Sequence, residues 1–250
     1  MKAKIDIYIK SYSRDFGLLR YALMSLKKYV TGYNKLIICI PVDDYLEFHK
    51  LFREDNHIDC VVVTKVEYGD RYLYQQVCKM NAYKHSSADY IMFSDSDCIF
   101  NRTINLKDYI KGGKPEILYT DYNKVEGAII WKEPTEKFLG EPVLWEGMRR
   151  NNLIYRRSTL ANIAEQYPNL EKQIMSLERF SEFNALFAWA FKYEQNKYRF
   201  VNTDNWEYVP PMAVQLWSHF DKNGVGVHKE EYNRALETIN NALNLNLTEL

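Results

Sequence analysis

The chain has 250 residues, enough for one large domain, or a domain with a subdomain, whose core forms without disulfide or metal staples. Lys and Arg total 33 and Asp and Glu total 33, which excludes a global polycation of the kind that grips nucleic acid or anionic membrane without specificity. No run approaches the ~18 apolar residues of a membrane-spanning helix. The opening Met1-Lys2-Ala3-Lys4-Ile5-Asp6 lacks the apolar stretch of a secretory signal, so a cytoplasmic protein is expected.

Ile5-Asp6-Ile7-Tyr8-Ile9 alternates and is rich in β-branched residues, which predicts a first strand. A polar loop, Lys10 to Asp15, follows it. Phe16 to Tyr29 has apolar residues at helical spacing, with Gly32 as a stop. Leu36 to Ile40 is a continuous apolar run, as a parallel strand covered on both faces requires, and Pro41 ends it. Asp43 opens a helix to about Phe52, Ile58 to Val63 reads as a third strand, Tyr72 to His85 as a helix, and Tyr90 to Phe93 as a fourth strand. Strand and helix thus alternate over the first hundred residues, which predicts right-handed crossovers and an α/β fold with a mostly parallel, doubly wound sheet flanked by helices.

Beyond Phe100 the rhythm changes. Ile117 to Tyr119, Val125 to Trp131, Leu153 to Tyr155, Val201 and Trp206 to Val209 suggest short strands, Trp145 to Arg150 a helical turn, and Val214 to Trp217 leads to Ser218-His219. Helices are expected at Thr159 to Gln166 and, capped by Ser181, up to Tyr193. The tail from Glu230 reads as one helix, broken or frayed by its asparagines. Cys39, Cys60, Cys78 and Cys98 lie singly, with no C-x-x-C pair, and read as reduced thiols.

The chemistry concentrates where the fourth strand ends, at Asp95-Ser96-Asp97. In extended backbone residues i and i+2 point the same way, so the two carboxylates would stand side by side. Two anions that close repel unless a cation lies between them, and carboxylate oxygens suit Mg²⁺ or Mn²⁺. The plainer reading is a polar turn. In the preceding helix Gln75 and Lys79 share one face, as do Gln76 and Met80, and Gln75 and Lys79 either donate to phosphate or sugar hydroxyls or form a solvated stripe. There is no G-x-G-x-x-G after the first strand and no Walker loop, which disfavours dinucleotide dehydrogenases and P-loop enzymes.

Together, the Tyr72-to-Lys79 helix with its Gln75-Gln76-x-x-Lys79 pattern and the segment Asp89-Tyr90-Ile91-Met92-Phe93-Ser94-Asp95-Ser96-Asp97 resemble the GT-A glycosyltransferases. The resemblance is nearest to small bacterial and phage members with a Gln-Gln-x-x-Lys helix before an Asp-x-Asp. It covers residues 1–100 well and the rest weakly. It implies one GT-A domain over residues 1–250, with a nucleotide-sugar-binding half (1–100) and an acceptor-side half (101–250). It further implies that Asp97 ligates a Mn²⁺ or Mg²⁺ against the diphosphate of a nucleotide sugar, UDP-linked by expectation, with Asp95 on the metal or ribose. Ser11, Tyr12 and Arg14 would grip the nucleotide, with Tyr12 stacked on the base, and Asp43 or Asp44 would meet the base or ribose. A third metal ligand, often His in this family, would be His219, with His228 as the alternative. Glu182 would be the general base of an inverting enzyme, against the plainer reading of a carboxylate placed by the helix dipole.

The acceptor is expected to be a glycan or lipid-linked saccharide, or a hydroxymethylated DNA base. The second option is suggested by a phage-like richness in Lys, Asn, Ile and Tyr, and by four arginines flanking Leu153 to Tyr155, namely Arg149, Arg150, Arg156 and Arg157, which otherwise form a solvated face. Competing readings are a nucleotidyltransferase, which would normally carry a glycine-rich basic loop where Lys10 to Asp15 has no glycine, and a nucleotide-sugar binding module with a dead site.

Overall fold

The computed structural model describes residues 3–52, 60–216 and 229–249. The first part runs β1 Ile5–Lys10, α1 Phe16–Tyr29, β2 Val30–Thr31, β3 Lys35–Pro41, α2 Tyr45–Phe52, β4 Val61–Lys65, α3 Arg71–Met80 and β5 Tyr90–Asp95. Next come β6 Cys98–Ile99, β7 Ile104–Asn105, β8 Ile110–Lys111, β9 Lys114–Asp121, α4 Lys132–Leu139, β10 Trp145–Glu146 and β11 Ile154–Arg156. The chain continues with α5 Arg157–Gln166, α6 Leu170–Met175, α7 Glu182–Tyr193, β12 Arg199–Asn202, β13 Val214–Gln215 and α8 Lys229–Leu243.

The central sheet has the order β11-β5-β1-β3-β4, parallel except for β11, which runs antiparallel beside β5. The expected α/β architecture is what forms. Alternation sorts the strand residues between two cores. Ile5, Ile7 and Ile9 of β1 join Leu19, Leu23 and Phe48 on the α1–α2 face, while Tyr8 joins Leu73, Val77 and Leu186 on the α3–α7 face. Asp6 is tolerated inside β1 because Asn34 Nδ2 (2.8 Å) and Ser86 Oγ (2.7 Å) donate to its carboxylate.

The chain steps from β1 to β3 to β4 in one direction, then crosses back to lay β5 on the other side of β1. The crossovers therefore diverge between β1 and β5, and the crevice at the carboxyl ends of such a pair is where open α/β sheets bind ligands. Lys10 and Asp95, the last residues of the two strands, are register partners.

Elements after Phe100 depart more from expectation. Residues 128–131 form a 3-10 turn entered through Gly127 (φ 73°) and not a strand, since Ile129 and Ile130 find no ladder and stay exposed. Trp145–Glu146 is a strand, paired antiparallel with Asp121 and Thr120, where a helical turn was expected. Residues 206–209 join no strand among the described residues, and the Pro210-Pro211 that follows offers no backbone donor for a ladder. The α3 helix stops at Met80, where the Asn81 side chain turns back to the Val77 carbonyl (3.0 Å). The third strand spans Val61–Lys65, and residues 58 and 59 of the expected one lie outside the described residues. Helix α8 ends before Asn244 (φ 58°), and Asn240 ties down the segment beyond it through Leu247 (2.8 and 3.0 Å). Cys39, Cys78 and Cys98 are buried free thiols, and Cys60 is half-buried. No helix among the described residues is long and apolar enough to cross a membrane.

Candidate active site

A cleft of about 1240 Å³ opens over the carboxyl ends of β1 and β5. Its lining holds five bases (Lys10, Arg14, Arg71, Lys79, Arg150) and five acids (Asp15, Glu67, Asp95, Asp97, Glu182), so its formal charge is balanced. The buried bases are matched internally. Lys10 meets Glu67 at 2.6 Å, and Arg150 meets Glu116 at 3.2 Å.

Lys79 occupies the centre. It is only 2% exposed, and its ammonium donates to Asp95 Oδ1 (2.5 Å) and Glu182 Oε1 (2.8 Å), with the Phe183 ring 4.9 Å away. Burial alone lowers the Lys79 pKa, but the carboxylates of Asp95 and Glu182 reverse that and hold it above its usual value. Burial raises the Glu182 carboxyl, Lys79 pulls it down and Asp95 pushes it up, leaving it above the usual carboxylate range. Helix geometry explains why these residues meet. Lys79 lies in the last turn of α3, and Glu182 opens α7, each at the helix end that favours its charge. Asp70 caps α3 by accepting from Leu73 N (2.9 Å), and Ser181 caps α7 by accepting from Asn184 N (3.2 Å).

The solvated stripe is therefore not what forms, because Gln76 and Lys79 are buried. Two of the three donors of Lys79 are held by protein carboxylates, so at most one is left for a phosphate or sugar oxygen. Gln75, Gln76 and Lys79 all line the cleft, and Gln76 Oε1 is buried without a hydrogen-bond partner.

Both Asp95 and Asp97 reach the cleft, but not by strand alternation. The extended backbone ends at Asp95, and Ser96-Asp97 forms a turn into β6. That turn is held on three sides. Ser96 Oγ donates to Asp15 Oδ2 (3.0 Å), Leu216 N donates to the Asp97 carbonyl (3.0 Å), and Asn152 Nδ2 donates to Ser94 Oγ (2.6 Å). Asp97 is 6% exposed.

The loop after β1 divides in its roles. Tyr12 and Arg14 line the cleft, with exposed Arg71 near them. Burial, then the charge of Asp15, raises the Tyr12 phenol, while Arg14 and Arg71 oppose this. Ser11 lies buried behind the lining, its backbone N on the Cys39 carbonyl (2.9 Å). Asp43 is exposed and outside the cleft. The 3-10 turn Val42–Asp44 turns Asp44 inward instead, where its Oδ2 accepts from Ser13 N (2.8 Å) and braces the loop. His219 and His228 lie outside the described residues, among which no group of three His, Cys, Asp or Glu is placed to hold a metal.

Two of the four arginines are engaged within the protein. Arg150 is buried against Glu116 and over the Tyr109 ring, and Arg156 lies over the Tyr90 ring and donates to the Gly113 carbonyl (2.9 Å). Lining residues that the sequence did not mark include Lys10, Glu67, Arg71, Met148, Asn151 and Asn152. Lys10 carried a usable signal, a lysine closing a buried strand. Asn151 carried none, because its role is to grip Met212 and Ala213, some sixty residues away (Oδ1 accepting at 3.1 and 3.3 Å).

This combination, a mostly parallel sheet flanked by helices with a charged crevice at its β1/β5 switch point, is a Rossmann-like α/β fold. No protein-family model and no curated protein matches the chain. Solved structures do match its fold. One is a Bacillus anthracis protein described as a glucose-1-phosphate thymidylyltransferase, in complex with a sucrose, at TM-score 0.51 and 12% identity, covering 98% of both chains. Another is 4-diphosphocytidyl-2C-methyl-D-erythritol synthase of Anaerococcus prevotii, at TM-score 0.52 and 10% identity, covering 94% of this chain and 96% of that one. At these identities the likeness is one of fold.

Proposed function

We propose that the protein is a divalent-metal-dependent glycosyltransferase of the GT-A type, taking a sugar from a nucleoside-diphosphate donor, UDP-linked by preference, to an acceptor hydroxyl. The observation that carries this reading is the Asp95/Asp97 pair at the end of β5, facing the same cleft as a buried Lys79–Glu182 pair. Carboxylates are hard oxygen donors, and Mg²⁺ is commonly held by one or two of them together with substrate phosphates, so Asp95 and Asp97 fit such an ion without a third protein ligand. When bound, the ion supplies Lewis-acid neutralisation of the departing diphosphate.

The chain's own residues supply the remainder. Tyr12 offers a ring to the base, and Arg14 and Arg71 stand at the mouth for phosphate oxygens. Lys79 holds Asp95 and Glu182 apart and in place. An acceptor hydroxyl attacks the anomeric carbon, the bond from that carbon to the diphosphate oxygen breaks with its electron pair on the nucleotide, and Glu182 takes the hydroxyl proton. A carboxyl whose pKa is raised is the better base for that task.

A second reading, nucleotidyl transfer, is favoured by the names of the two solved structures. The absence of glycine from Lys10 to Asp15 weighs against it. Incubation with Mn²⁺ and UDP-sugars should release UDP, whereas a nucleotidyltransferase given sugar 1-phosphate and a nucleoside triphosphate would release pyrophosphate. Asp97→Ala should lower UDP release by about 10²–10³-fold, the usual cost of losing a group that stabilises transition-state charge. Full activity in that variant or in EDTA would overturn the proposal. Stabilisation by UDP and Mn²⁺ without turnover of any UDP-sugar would mark a binding module instead.

A further inference from the structure

The cleft has two chemically different ends. Tyr12, at one end, feels the charges of Asp15, Arg14, Arg71 and Asp97. Tyr72 feels Glu182, Lys79, Asp95 and Arg179, so its ring lies beside the buried triad at the other. There Tyr72 and Trp131 lie with ring centroids 6.4 Å apart and planes 31° from parallel. The Tyr72 hydroxyl donates to the Phe180 carbonyl (2.8 Å), which fixes the ring while leaving the side chain 44% exposed.

Charge separates the two acceptor classes. A polyanion such as DNA needs several cations free to meet phosphates. At the Tyr72–Trp131 end the buried base, Lys79, is held by Asp95 and Glu182, and Arg150 farther along the lining is held by Glu116. The turn that carries Trp131 presents exposed Ile129 (51%) and Ile130 (45%), and exposed Arg179 adds one cation beside Tyr72. What this wall offers is aromatic faces next to a buried carboxylate. Aromatic rings pack well on the apolar C–H faces of pyranose rings, and carboxylates accept from their hydroxyls.

We infer that the acceptor is a neutral saccharide whose ring packs on the Tyr72–Trp131 pair and whose hydroxyl points at Glu182, and that modified duplex DNA is not the acceptor. The inference rests on the transferase reading above, and its test separates the two. The protein loaded with UDP and Mn²⁺ is titrated, by saturation-transfer NMR, with neutral oligosaccharides of glucose, galactose, N-acetylglucosamine and mannose. A short DNA duplex carrying 5-hydroxymethylcytosine is titrated in parallel.

Binding of at least one saccharide is expected, weakened about tenfold by Trp131→Ala, as loss of an aromatic contact implies, and restored by Trp131→Phe. Stabilisation by UDP with Mn²⁺ should be unchanged in both variants, which reports intact folding. Saccharide affinity unaffected by Trp131→Ala, no saccharide bound, or tighter binding of the duplex would each overturn the inference. Failure of UDP with Mn²⁺ to stabilise the wild-type protein would instead count against the transferase reading.

Discussion

The residues up to Phe100 and those after it build structure by different means. In the first part each helix returns the chain to the same sheet, and β1, β3, β4 and β5 form parallel pairs between chain neighbours or across one crossover. In the second part strands find distant partners, as β12 does beside β9, β13 beside β6 and β11 beside β5. The site needs both. Lys79 belongs to the first part and Glu182 to the second, 103 residues apart, and they meet at 2.8 Å. Local alternation builds a rigid platform, and long-range contacts then deliver a counter-charge to it.

Breaking that junction should have the largest effect on stability. Lys79→Met leaves buried Glu182 and half-buried Asp95 without their shared cation and should cost about 3–5 kcal/mol, read by urea denaturation at neutral pH. Adding Glu182→Gln should recover part of the loss, because one stranded charge is then gone. A single variant as stable as the wild type would mean that the two parts are not held together through this ion group.

The second part also contains a carboxyl with an unusual proton affinity. Glu146 is 2% exposed, its Oε1 accepts from Met148 N (2.6 Å), and its Oε2 is buried without a hydrogen-bond partner. Burial pushes its pKa up to about 7 from the usual 4.5, against the opposing pull of the Met148 amide and Arg149. Between those pH values the folded state keeps a proton that the unfolded chain has released, so stability falls as pH rises through that window and stays lower above it. Glu146→Gln should remove this loss, a gain over wild type on the order of 2–3 kcal/mol between about pH 5 and about pH 8 by urea denaturation. Equal pH slopes in the two proteins would show that Glu146 is ionised at no cost.

The smallest effects should be equal across the comparison. Asp70→Ala in the first part and Ser181→Ala in the second each remove one N-cap acceptor, and each should cost about 1 kcal/mol in thermal or urea denaturation. Caps act on their own helix, so a markedly larger loss for Ser181 would show that its contact with Met148 Sδ (2.8 Å) also holds the cleft wall.

The legibility of the sequence follows the same division. Phe16 to Tyr29 was readable as a helix because its apolar spacing is local, and Leu36 to Ile40 as a strand because a doubly covered strand is apolar throughout. Residues 125–131 misled because Ile129 and Ile130 have strand propensity but no strand to pair with, and packing overrides propensity in short segments. Asp43 and Asp44 look alike in sequence, and only the turn through Val42–Asp44 selects Asp44 to brace the loop.

By itself the sequence determined the order of the first four sheet strands' elements, the helix bearing Gln75, Gln76 and Lys79, and a pair of aspartates at the end of β5, since all of these are written in spacing along the chain. The tertiary structure alone decided that Lys79 is shared between Asp95 and Glu182, that Arg150 meets Glu116 and Arg156 the Tyr90 ring, and that Tyr72 meets Trp131. Those contacts join residues far apart in the chain, and no local period encodes which distant charge a buried ammonium will meet.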